Sequence, residues 1–125
     1  MTDQIYREII LEHYKNPQNY GVLDNADIDI TDFNPLCGDE IHLTLKLKGN
    51  IIEEVAFESL GCAISKASAS LFTEEIKGKT LAETKNISRN DVLSLLEVTL
   101  TPARMKCALL VYATFNHGLK KFQGK

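Results

Sequence analysis

Three cysteines and one aspartate carry the donor atoms that soft metals prefer. They are Cys37 and Asp39 in Asn34-Pro35-Leu36-Cys37-Gly38-Asp39, Cys62 after Gly61, and Cys107 at the end of Pro102-Ala103-Arg104-Met105-Lys106-Cys107. Thiolate sulfur suits zinc and iron–sulfur clusters, and a carboxylate oxygen in place of a fourth sulfur makes a labile corner where another ligand can enter. The cysteines lie too far apart along the chain for a local zinc knuckle, so only folding can gather them. By spacing alone a plainer reading stands beside this one. In it Cys37 is a small buried hydrophobe, Asp39 a turn-former beside Gly38, and Cys107 one position on an apolar helix stripe.

The elements that must position these residues can be read from hydrophobic periodicity and its punctuation. Ile5, Ile9, Ile10, Leu11 and Tyr14 recur at helical spacing after Thr2/Asp3, and Asn16-Pro17 stops that helix. Ile28 and Ile30 alternate with acids before Phe33. Ile41, Leu43, Leu45 and Leu47 then alternate with His42, Thr44, Lys46 and Lys48, and Gly49-Asn50 turns the chain into Ile51, Ile52, Val55 and Phe57. Residues 28 to 57 therefore read as an antiparallel meander, with the His42 face exposed. The second half reads as helical. Ile64, Ala67, Leu71 and Glu75 define a stripe from Ala63 to Lys77, with Gly78 as a left-handed cap. Thr80/Glu83 and Ser88/Asp91 have capping-box spacing, and Thr101-Pro102 opens a last helix that reaches Lys120. The expected fold class is α+β, a three-stranded antiparallel sheet packed on one face by helices, in a single domain over residues 1–125.

On this layout Cys37 falls in a loop between two strands. Cys62 falls at a helix entrance, where unpaired N–H groups and the helix dipole should favour its thiolate, and Cys107 in the second turn of another helix. Gly38 and Gly61 permit tight backbone paths beside two of the ligands. His13, His42 and His117 are read as structural or surface residues, since none lies within a few positions of a cysteine. Ser65, Ser68 and Ser70 at the start of the second helix could hydrogen-bond sulfur, but small residues packing against a sheet explain them equally well, and they are left out of the site.

Composition narrows the function classes. A formal net charge of −3 with no basic cluster argues against nucleic acid and anionic lipid as partners. No apolar run approaches the roughly 20 residues needed to span a bilayer, and Asp3 and Glu8 stand where a signal peptide would be basic then apolar. The expected location is the cytoplasm, where three cysteines make a poor disulfide framework and a better metal or thiol site.

Five segments in order resemble the IscU/NifU N-terminal family of iron–sulfur cluster assembly scaffolds, from about Ile5 to Phe122. They are His13-Tyr14-Lys15-Asn16-Pro17, the Pro35 to Asp39 run, Gly61-Cys62-Ala63-Ile64-Ser65 continuing through Ala69-Ser70-Leu71, Thr73 to Lys79, and Pro102 to Cys107 with Ala108-Leu109-Leu110. Within the family, the runs around Cys62 and Cys107 are similar to the SufU branch. IscU-type proteins have a histidine before the last cysteine, where this chain has Lys106. SufU-type proteins carry an insertion between the second and third cysteines that this chain lacks. Leu100-Thr101-Pro102-Ala103-Arg104 departs from the segment read by the Hsp70-type chaperone in IscU systems, so that partnership is not carried over.

The resemblance implies an IscU-like fold and a site of Cys37, Asp39, Cys62 and Cys107 that binds zinc and, transiently, a [2Fe–2S] cluster. Three thiolates and a carboxylate outweigh the charge of zinc, so the site wants cations nearby, and Arg104 and Lys106 flank Cys107. The implied donor is a pyridoxal-phosphate-dependent cysteine desulfurase carrying a persulfide, and apo iron–sulfur proteins or carriers are the recipients. Cys37 is the expected sulfur acceptor, with Cys107 the alternative. A scaffold is expected rather than an enzyme. The alternative is a zinc-bound SufU-type sulfurtransferase partner that receives sulfur on Cys37 without holding a cluster.

Overall fold

The alternating residues of the middle third form a three-stranded antiparallel sheet in a computed structural model that describes residues 2–35, 38–96 and 100–123, with side chains from residue 8 onward in the first helix. The chain runs α1 (Thr2–Lys15), β1 (Ile28–Asn34), β2 (Asp39–Lys48), β3 (Ile51–Leu60), α2 (Ala63–Ile76), α3 (Leu81–Thr84), α4 (Arg89–Leu96) and α5 (Pro102–Gln123), with strand order β1-β2-β3. Lys48 pairs with Ile51, and Gly49 at φ +63° takes the first position of the two-residue turn between them. The register shifts between Lys46, opposite Glu54, and Leu47, opposite Ile52. Glu53 is therefore the extra residue of a bulge. This explains why Ile52 and Val55, three apart in sequence, are both buried.

The helices cover one face of the sheet. Ile28, Ile30, Ile41, Leu43, Leu45, Val55 and Phe57 pack against Ala69, Phe72 and Ile76 of α2, Val92 of α4, and Leu109 to Val111, Phe115 and Leu119 of α5. A Cβ on Gly118 would stand 2.8 Å from Ile28 Cγ2, so this glycine lets α5 lie close against β1. A second cluster, with Ile10, Ala67, Leu96 and Ala108 at its centre, joins α1, α2, α4 and α5 on the far side of α2.

Three expectations need correction. The α2 stripe was expected along Ile64, Ala67 and Leu71, yet the residues facing the sheet are Ala69, Phe72 and Ile76, while Ile64 and Leu71 pack in the outer cluster. Small serines and alanines let α2 sit between two apolar layers, so it is buried on most of its circumference. The outer sheet face is also less open than alternation implies. Tyr20 bridges to Phe57, and the chain then crosses that face, where the Leu23 N–H donates to buried Thr44 at 3.1 Å. His42 is half-buried there, its ring 2.7 Å from Asp29. Finally, α2 ends at Ile76 and α5 continues to Gln123. Gly78 takes φ +87° as its capping role requires, and its N–H donates to Ile52 O at 2.8 Å, tying the helix end to β3.

Candidate metal and sulfur site

The end of the sheet where β1 meets β2 also receives the entrances of α2 and α5. Asp39 is the first residue of β2, paired with Asn34, and is 1% exposed. Gly61 follows β3 at φ +136°, and a Cβ there would collide with Asp39 Oδ1 and stand 2.7 Å from its Cγ. Only a glycine lets the chain pass so close to the carboxylate. This turn presents the next residue to Asp39: the Cys62 N–H donates to Oδ1 at 2.9 Å, and its Sγ lies 3.4 Å from Oδ2.

Cys62 is also the N-cap of α2. Its sulfur accepts the Ser65 N–H at 3.4 Å, the place a serine or aspartate oxygen usually fills. Cys107 is brought in by α5, whose first turn is set by Thr101 and Pro102; Arg104 N–H approaches Thr101 Oγ1 at 3.4 Å. Cys107 is 3% exposed. Beside it, Ser68 Oγ donates to Ala108 O at 2.6 Å and locks α2 to α5.

One donor atom from each of Asp39, Cys62 and Cys107 lies within 4.8 Å of the other two. Donors on a tetrahedral zinc, at bond lengths of about 2.0–2.3 Å, sit roughly 3.5–3.8 Å apart, so a small contraction would bring these three to bonding positions. Two sulfurs and one oxygen are a donor set that suits zinc in chemistry. Cys37, the fourth expected ligand, lies outside the described residues. Arg104 and Lys106 are both exposed. Lys106 lines a groove of about 430 Å³ with Phe33, Asn34, Pro35 and Arg89, on the flank of the site.

The histidines are engaged elsewhere. His13 Nδ1 lies 2.7 Å from Ser70 Oγ, and His117 Nδ1 lies 3.0 Å from Asp32. Among the described residues, Asp39, Cys62 and Cys107 form the group whose donors converge in this way. The serines of α2, left out of the site because packing explained them as well as a bond to sulfur, help to build this corner. Ser65 gives its N–H to Cys62, while its buried hydroxyl has no hydrogen-bond partner among the described residues. The available signal was their spacing of three, which puts Ser65 and Ser68 on one helix face with Cys62.

Residues 5–125 match the family described as NifU-like N terminal domain. The chain is 41% identical, over 98% of its length and 94% of the relative's, to the zinc-dependent sulfurtransferase SufU of Bacillus subtilis (strain 168). That alignment runs over 139 positions, more than this chain has residues, so the relative carries residues that are absent here. It is 35% identical to the iron–sulfur cluster assembly scaffold protein IscU of Escherichia coli (strain K12), over 96% of this chain and 95% of that one. A solved structure described as a candidate iron–sulfur cluster assembly scaffold protein for the SUF system, from Fervidobacterium islandicum AW-1, shares the fold. Its TM-score is 0.78 at 32% identity, covering 95% of this chain and 99% of that one. No helix among the described residues is long and apolar enough to cross a membrane.

Proposed function

The chain belongs to the NifU-like N-terminal domain family, and from that premise we propose that it takes sulfur from a cysteine desulfurase and assembles a nascent [2Fe–2S] cluster for transfer to apo-proteins. The ligands in this reading are Cys37, Asp39, Cys62 and Cys107. The observation that carries it is the convergence of a buried carboxylate and two thiols, from three separate elements, within one coordination sphere's reach. A resident zinc would be held by the same four residues and would keep the thiols ionised while no sulfur is being delivered.

The protein's own contribution is to hold sulfur nucleophiles apart until a donor arrives. Asp39 is anchored by the Cys62 N–H, and as an oxygen among sulfurs it would be the ligand most readily exchanged for an incoming one. A cysteine thiolate at that corner attacks the terminal sulfur of the donor's persulfide. A new S–S bond forms on this chain, the donor's S–S bond breaks, and the donor leaves as a thiolate, with no net oxidation or reduction. Cys37 is the acceptor in this reading and Cys107 the alternative. The cluster, when formed, is cargo.

A second reading has its own support. The relative named as a zinc-dependent sulfurtransferase aligns over nearly the whole chain, and Lys106 stands before Cys107 where IscU-type proteins carry histidine. In that reading the chain passes sulfur on without building a cluster. Anaerobic reconstitution with iron and sulfide separates the two. A transferable [2Fe–2S] chromophore supports assembly; one tight zinc, desulfurase stimulation and no chromophore support sulfur transfer. Thiols that never acquire persulfide sulfur, by mass spectrometry after incubation with desulfurase and cysteine, would sink both.

A further inference from the structure

The Ser65 hydroxyl is an anomaly in a well-satisfied corner. The residue is 1% exposed, and its Oγ makes no hydrogen bond among the described residues, although its backbone N–H donates to Cys62 Sγ. A buried hydroxyl without a partner is destabilising, and an alanine would fill nearly the same space without that cost. Its surroundings show where a partner would come from. Cys62 and Ser68 stand three residues before and after it on the same face of α2. Cys62 Sγ lies within 4.8 Å of the Cys107 sulfur, and Ser68 Oγ donates to Ala108 O. Both neighbours on that face thus meet adjacent residues of α5, which places Ser65 against the same stretch. The Cα–Cβ bond of a helical residue leans toward the helix N-terminus, here toward Cys62.

Among the described residues no sulfur stands in hydrogen-bonding position to this hydroxyl, so the missing partner arises when the donors draw together around a metal and bring a ligating thiolate, a strong acceptor, into reach. Resting on the reading of Cys62 and Cys107 as ligands, we propose that Ser65 is a positioning residue whose hydroxyl donates to a ligating thiolate of this pair when metal is bound. It remains unpaired while the site is empty. The hydroxyl thereby favours the loaded state by stabilising that state and by burdening the other.

The test uses the full chain with zinc and with cobalt(II) as probes. Ser65→Ala should leave the metal-free protein as stable as the parent or more so in urea, because it removes an unsatisfied group. It should weaken zinc binding about tenfold in chelator competition, the size expected when an outer hydrogen bond to a metal ligand is lost. The sulfur-to-cobalt charge-transfer band should move to longer wavelength, since the sulfur lone pairs are no longer held down by a donor. A merely structural serine predicts the reverse: a less stable metal-free chain and an unmoved band. Cys107→Ser is the control. If it weakens zinc binding and Ser65→Ala does not, this proposal is overturned and the metal site stands. If neither variant affects zinc binding, both are overturned.

Discussion

Gly61 and Asp39 compete for the same space: a side chain on the glycine would run into the carboxylate that receives the Cys62 N–H. The contact ties a backbone conformation to the placement of a ligand. It also means the glycine cannot be replaced without moving one of them.

Gly61→Ala should therefore harm the fold and the site together. At φ +136° a non-glycine residue is strained, and the new methyl overlaps a carboxylate that is 1% exposed and cannot swing into solvent without vacating its place. Strain and overpacking together predict a loss on the order of 2–4 kcal/mol in urea unfolding. Bound zinc per chain should fall in the same variant. A variant that keeps full stability and full zinc content would show that Asp39 has another position in which to bind.

Asp39→Ala and Asp39→Asn should differ in the metal-free protein. The alanine leaves the Cys62 N–H without its acceptor, a cost of about 1–3 kcal/mol. The asparagine retains an amide oxygen at the same reach and should recover most of that loss. Urea midpoints of the two variants, measured with a chelator present, decide the point. Equal losses would mean that the carboxylate's charge, rather than its hydrogen bond, holds this corner.

How much of this was legible beforehand depended on whether the signal was local. The strands followed from alternation, the start of α5 from Thr101-Pro102, and the end of α2, to within one residue, from Gly78, each a matter of a few neighbouring residues. The convergence of Asp39, Cys62 and Cys107 was not local, and it was anticipated through a resemblance carried by five motifs rather than by spacing. What escaped was burial imposed from a distance. Thr44 is enclosed because Leu23, far away in sequence, donates to it, and no periodicity within β2 records that. Ser65 was left out of the site because packing of small residues explained it as well as a bond to sulfur, and small residues are indeed what allow α2 to be enclosed on both sides.

Acid should weaken the α3 capping box in a recognisable window. The Glu83 carboxyl accepts the Thr80 backbone N–H at 2.9 Å, and Thr80 Oγ1 accepts the Glu83 N–H at 3.1 Å. The bond to the Thr80 backbone, followed by that to its side chain, holds the Glu83 pKa below its ordinary value of 4.5. A depressed folded-state pKa stabilises the protein above the ordinary value, and that contribution fades as pH falls through the lowered one. Glu83→Gln should therefore show a flatter dependence of the urea midpoint on pH below 4.5 than the parent, with the two curves converging in stronger acid. Parallel curves across that range would remove Glu83 from the account.

Metal removal should be read as a change in folding stability as well as in chemistry. The donors come from β2, the N-terminus of α2 and the second turn of α5, so an ion bound among them joins elements far apart in sequence and binds the folded chain alone. With free zinc at about a hundred times its dissociation constant, linkage predicts a gain of about 2.7 kcal/mol, lost on adding a chelator. Cys107→Ser should abolish most of that increment, each chain's own metal-free stability serving as its reference because a hydroxyl at this 3% exposed position carries a burial cost that the thiol does not. Thermal unfolding with and without zinc, for both chains, gives the comparison. An increment of the same size in Cys107→Ser would place the stabilising ion elsewhere on the molecule.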